Sequence, residues 1–161
     1  MLTVNVICIG KLKEKYLQMA CEEYGKRLKG FCKLNIIELP EYKLPSEPSQ
    51  SQIDKGILEE GKEILNKLRT GSSYQIPLCI EGKLYSSEQL AEQLSHIALM
   101  GKSEVNFIIG GSFGLSPEVK QKADCKLSMS PMTFPHQLAR VMILEQIYRA
   151  FQINQNGKYH K

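Results

Sequence analysis

Four apolar runs constrain this chain more than any other feature: "LTVNVICIG" from Leu2, "KLNIIELP" from Lys33, "SYQIPLCIEG" from Ser73 and "EVNFIIGG" from Glu104. They are rich in β-branched residues and end at Gly or Pro, as strands do. They are continuous rather than alternating, the pattern of parallel strands buried on both faces. Helical spacing fills the gaps between them. Residues 14–29 put Leu17, Ala20, Cys21, Tyr24 and Leu28 on one side, and residues 53–68 do the same with Ile57, Gly61, Ile64, Leu65 and Leu68. Ser86 or Ser87 opens a third helix that Gly101 stops. "EYKLPSEPSQSQ", polar and proline-bearing, reads as a loop. The order β-α-β-α-β-α-β predicts an α/β open sheet with right-handed crossovers. Ligands in such sheets sit beyond the carboxyl ends of the strands.

After the fourth run the spacing predicts a short helix over 116–122, with Pro117 at an N-terminal position. A short fifth strand, "CKLSMS", and a proline-bracketed loop, "PMTFPH", follow. The last helix, 137–152, carries Leu138, Val141, Met142, Leu144, Ile147, Tyr148 and Phe151 on more than one side. Such a helix needs cover on several sides, and a subunit interface is the expected cover. The polar tail "INQNGKYHK" is expected to be disordered. A length of 161 residues suits one domain, residues 1–161, with a core that needs no disulfide. The five cysteines form no CxxC pair, which suits a reducing compartment. The apolar N-terminus is short and lacks a basic flank, so it reads as a strand and not as a signal peptide. No run approaches the roughly 18 apolar residues of a membrane span. The expectation is a cytoplasmic protein with no membrane partner.

Charge is unevenly placed. Residues 1–33 and 116–161 each carry a net +4, whereas 34–115 carry −4. A polyanion such as RNA would prefer a face built from the two chain ends, although an uneven solvated surface accounts for the same pattern. The common phosphate and metal chemistries lack their hardware. There is no GxxxxGK[ST], and "GGSFG" has the wrong spacing for a dinucleotide fingerprint. His96, His136 and His160 have no metal-ligand spacing, so no metal is expected. No GxSxG elbow is present. What remains is a pair of loops at strand ends, "IIGGSFG" and "LSMSPMTFPH". Their backbone groups suit a small nucleoside; plain tight turns would explain the same glycines.

The carboxyl-terminal third narrows the choice. "IIGGSFGLSPEV", "MTFPHQLARVMILEQIYRA" and "GKYHK", with "VICIGKLKEKY" and "IPLCIEGK" upstream, resemble the RlmH family over the whole chain. Its members, in the SPOUT superfamily, methylate N3 of a pseudouridine in large-subunit ribosomal RNA. The resemblance implies a SPOUT-type parallel sheet with helices on both faces and a C-terminal trefoil knot, with knot and cofactor loops over about 104–153. It implies S-adenosylmethionine as co-substrate, held by Leu78, Gly110, Met129, Ser130, Pro131, Met132, Thr133 and Phe134. It also implies a homodimer acting on 23S rRNA in the assembled ribosome. Gly110 then reads as room for the nucleoside, with Gly111 and Gly114 shaping the turn. His136, Arg140, Tyr159 and His160 become the catalytic candidates: a base for the N3 proton, and in Arg140 a group for phosphate or the developing imidate. Arg149 reads as an i,i+4 partner of Glu145. Tail residues 154–161 are expected to be flexible and to complete a site. Pro131 departs from the polar residue common in relatives and removes one backbone donor. A SPOUT enzyme acting on another RNA such as tRNA, or a non-catalytic RNA- or ribosome-binding module, stays open.

Overall fold

The computed structural model describes residues 1–161 as one α/β layer structure. Its strands are β1 (Thr3–Ile9), β2 (Lys33–Leu39), β3 (Ser73–Leu84), β4 (Glu104–Ile109) and β5 (Leu127–Ser128). Its helices are α1 (Lys15–Leu28), α2 (Gln50–Leu65), α3 (Ser87–Leu99), α4 (Pro117–Gln121) and α5 (His136–Asn154). The sheet is parallel throughout, in the order β2-β1-β4-β3-β5. The central strands β1 and β4 are buried almost end to end, which is why their sequences are unbroken apolar runs. Edge strand β2 is half open and carries Lys33, Asn35 and Glu38.

Side chains alternate between two cores. Val4, Val6, Cys8, Phe107 and Ile109 pack under α1, α3 and α5. Ile7, Ile9 and Ile108 pack under α2 and α4 with Leu39, Ile64, Leu115 and Val119. On this second side the parallel register also aligns four amides across the sheet. Asn35 donates to Asn5 at 2.9 Å, Asn5 to Asn106 at 2.7 Å, and Asn106 to Gln75 at 2.9 Å. Each buried amide is thus satisfied by the next strand, and a slip of one residue would break the whole ladder.

Helix α2 begins at Gln50, before the predicted Ile53, because Ser49 and Gln52 form a reciprocal capping box. Ser86 and Gln89 do the same for α3, and Ser116 with Pro117 opens α4. Strand β3 outruns its predicted end. Beyond Pro77 it leaves β4 and pairs with β5, Leu78 opposite Leu127 and Leu84 opposite Ser128. Gly82 permits this, since a Cβ there would lie 2.8 Å from the Leu127 carbonyl carbon. Apolar residues circle α5 as expected. Its inner side is buried at Ile143, Leu144, Ile147 and Ala150, while Leu138 stays exposed and Val141 and Met142 half-buried. No helix is long and apolar enough to cross a membrane.

The tail differs from expectation: it folds back on α5. The Tyr159 ring meets the edge of Tyr148 at 4.8 Å between centroids, and its hydroxyl donates to Glu145 at 3.1 Å. Burying an aromatic ring against another offsets the cost of ordering a short polar segment.

Candidate active site

The carboxyl end of the sheet opens into a cavity of about 840 Å³, within the range of small-molecule sites. The β4–α4 turn makes one wall. Gly111 and Gly114 form an antiparallel bridge, and Gly114 takes φ +89°, which glycine adopts without strain. Gly110 lines the cavity, but its lack of a side chain has a nearer cause. A Cβ there would lie 2.7 Å from the carbonyl carbon of Gly114. The turn closes on itself there, so its own packing already requires glycine at this cavity-lining position.

The opposite wall is the β5–α5 loop. Ser128 donates to the Ser130 carbonyl at 3.1 Å, and Ser130 Oγ accepts from the Met132 N–H at 3.0 Å, so short polar side chains set the loop's path. Leu78, Gly110, Met129, Ser130, Met132, Thr133 and Phe134 all line this one cavity, together with His136. Pro131 lies in the same loop without facing the cavity. Leu78 sits inside β3 where the strand changes partners from β4 to β5, and there it lines the cavity. The chain adds residues that sequence reasoning missed. Phe113, half exposed, caps the glycine turn, and Lys120 pairs with Glu81 at 2.6 Å on the wall. That bond holds the Glu81 carboxyl below its usual range. An aromatic residue set between glycines was a visible signal for Phe113; nothing local marked the Lys120 pair.

The four catalytic candidates do not come together. His136 faces the cavity from the first turn of α5. Burial lowers its imidazole pKa; Glu41 opposes and Arg140 reinforces that shift. It is therefore neutral near pH 7, with a ring nitrogen free to accept a proton. Arg140 is 2% exposed and does not line the cavity, contrary to the expected phosphate or imidate contact. Its guanidinium is engaged by Glu38 at 2.7 Å and the Gly10 carbonyl at 3.0 Å.

Tyr159 and His160 gather elsewhere, over Glu145, Arg149 and Glu88. Arg149 does pair with Glu145 at 2.5 Å, as the spacing predicted. It also donates to His160 Nδ1 at 3.1 Å. Arginine can only donate, so Nδ1 accepts and Nε2–H faces Glu88 at 2.6 Å. Burial pushes the Tyr159 phenol up to about 12, helped by Glu145, so it is a donor and not a base at neutral pH. This cluster borders a second cavity of about 560 Å³ between Tyr24, Ser87, Val141 and Glu145. The two cavities share Leu127, Ser128 and Met129. No group of three or more His, Cys, Asp or Glu is arranged to hold a metal ion.

The α/β sheet thus sets a cavity between a glycine turn and a returning loop, beyond the strand ends where such sheets hold small ligands. A family model described as "Predicted SPOUT methyltransferase" matches residues 2–160, and the chain belongs to that family. It is 51% identical over 162 residues to a Clostridium novyi protein named ribosomal RNA large subunit methyltransferase H, covering 99% of this chain and all of that one. A Clostridioides difficile protein of the same name is 49% identical over 160 residues, with 99% and 100% covered. Among solved structures, a probable methylase family protein from Haemophilus influenzae superposes with a TM-score of 0.54 at 16% identity, over 98% of this chain and 70% of that one. That likeness supports the fold alone.

Proposed function

We propose that this protein is an S-adenosylmethionine-dependent methyltransferase that methylates N3 of a pseudouridine in 23S rRNA on the assembled ribosome. The observation that carries the reading is the single cavity joining Leu78, Gly110, Met129, Ser130, Met132, Thr133, Phe134 and His136, in a chain of this family with full-length relatives so named. Leu78, Met129 and Phe134 give the cavity apolar walls, and Ser128, Ser130 and Thr133 add polar groups to it. S-adenosylmethionine bound there supplies an electrophilic methyl group on a sulfonium. The protein's part is to hold an acceptor nitrogen in line and to exclude water. Neutral His136 takes the N3 proton from the acceptor.

The protein works in the cytoplasm as a homodimer, with the residues 104–153 region threaded as a trefoil knot. Exposed Leu138 and half-buried Val141 and Met142 on α5, and a tail that does not line the cavity of its own chain, support this assembly. In it the partner's tail supplies the residues that its own cavity lacks. The test is transfer of labelled methyl from S-adenosylmethionine to ribosomes lacking the modification, followed by nucleoside mass spectrometry. N3-methylpseudouridine in 23S rRNA is expected. Label in tRNA instead would assign another RNA target, and no transfer with intact binding to ribosomes would leave a non-catalytic binding module.

A further inference from the structure

We infer that Arg140 is a positioning residue, whose guanidinium fastens the first turn of α5, and with it the Phe134–Ala139 wall of the cavity, to the carboxyl ends of β1 and β2. The inference rests on the cofactor reading of that cavity. Arg140 Nη1 donates to Glu38 Oε2 at 2.7 Å and Nη2 donates to the Gly10 carbonyl at 3.0 Å. The two acceptors lie at the ends of different strands, Glu38 in β2 and Gly10 just after β1, 102 and 130 residues away. Gly10 ends β1 at φ +80°, and its own N–H donates to the Leu39 carbonyl at 2.7 Å. A circuit of Gly10, Leu39, Glu38 and Arg140 therefore ties two strand ends to one helix. Arg140 is also flanked by the cavity: Ala139 precedes it, and His136 lies one turn earlier, both on the wall.

Stability alone does not account for this arrangement. Burial strips the guanidinium of its hydration, and one ion pair to Glu38, whose side chain stays 35% exposed, returns only part of that cost. Here the cost is higher still, since Arg140 Nε is buried with no partner. An apolar side chain would fill the space but would not fix α5 against two separate strand ends. Lysine would not either, because it lacks the planar fork that meets two acceptors at once. Direction, not adhesion, is what the guanidinium adds. The wall it directs carries Phe134, Pro135 and His136.

The test compares Arg140→Lys, Arg140→Gln and Glu38→Gln with the wild type. It reads S-adenosylmethionine binding by calorimetry, kcat and ribosome KM, and the His136 ring signals by NMR without cofactor. Both Arg140 variants are expected to weaken cofactor binding by about tenfold or more and to lower kcat by about 100-fold, the effect of a displacement near 1 Å. Ribosome KM is expected to stay within about twofold, the change expected when no phosphate contact is lost. The His136 signals are expected to move in both variants, including the lysine variant that keeps the charge. A folded Arg140→Gln protein with wild-type binding and turnover would overturn the inference. So would a rise in ribosome KM alone, which would make Arg140 an RNA contact. If Arg140→Gln does not fold, Glu38→Gln decides: weaker cofactor binding supports the fastening, and unchanged binding overturns it. Wild-type protein that takes up no S-adenosylmethionine would instead overturn the cofactor reading; a His136 shift in Arg140→Gln would still support the fastening.

Discussion

Gly110→Ala tests how tightly the glycine turn is closed. The added Cβ would sit 2.7 Å from the Gly114 carbonyl carbon, 2.8 Å from its oxygen and 3.0 Å from the Leu115 nitrogen. Ordinary contact begins at 3.4 Å, so the facing backbone must retreat by about 0.7 Å. That backbone is held by the Gly111–Gly114 bridge and by the Gly114 N–H bond to the Gly111 carbonyl at 3.1 Å. Gly110 itself has no positive φ, so the cost is purely steric. Overpacking of this kind costs about 1–3 kcal/mol. Because Phe113, Gly114 and Leu115 line the cavity, the same retreat should weaken S-adenosylmethionine binding by about tenfold or more. Urea unfolding and calorimetry read the two effects. Gly30→Ala is the control, since a Cβ at Gly30 meets nothing within 4 Å. If Gly110→Ala matched that control in both stability and binding, the reasoning would be refuted.

Other outcomes follow from separate parts of the structure. Asn106→Leu removes the centre of the amide ladder, leaving the Gln75 side-chain oxygen unpaired and Asn5 with only Glu104 and Asn35; urea unfolding should show a loss of about 1–3 kcal/mol. Glu60 is half-buried, and burial raises its carboxyl pKa while it accepts from the Tyr42 N–H at 3.0 Å. A raised folded-state pKa adds stability at low pH that is lost as pH rises through it. Glu60→Gln should therefore raise the urea midpoint at pH 7, and the gap should close below about pH 4. Lys11, Lys13 and Lys15 are exposed beside the carboxyl end of β1 and form no ion pair. Changing all three to Gln should raise ribosome KM and reduce the salt dependence of binding by up to about three in log–log slope, with S-adenosylmethionine affinity unchanged.

The order of elements could be read from the chain because central strands need apolar residues on both faces, and helices leave a spaced apolar stripe. The α2 start could have been read as well: Ser49 and Gln52 are a capping signal, masked by the prolines just before them. The two cavity loops were legible from their strand-end positions, and the specific residues in them came from the family resemblance. Arg140 was not legible. Its burial depends on acceptors more than 100 residues away, which no local pattern announces. Gly110 was ambiguous for a related reason: a missing side chain looks the same whether a ligand or the next turn takes its space. The tail misled because polar composition describes its average preference, whereas Tyr159 seated on Tyr148 and His160 held by Arg149 and Glu88 anchor it.

The central claim places the cofactor between the glycine turn and the β5–α5 loop, and a crystal structure with S-adenosylhomocysteine tests it most directly. The account predicts ligand density bounded by Leu78, Gly110, Met129, Ser130, Met132, Thr133 and Phe134, with His136 at its edge. Density in the neighbouring cavity, among Tyr24, Val141 and Glu145, would contradict it.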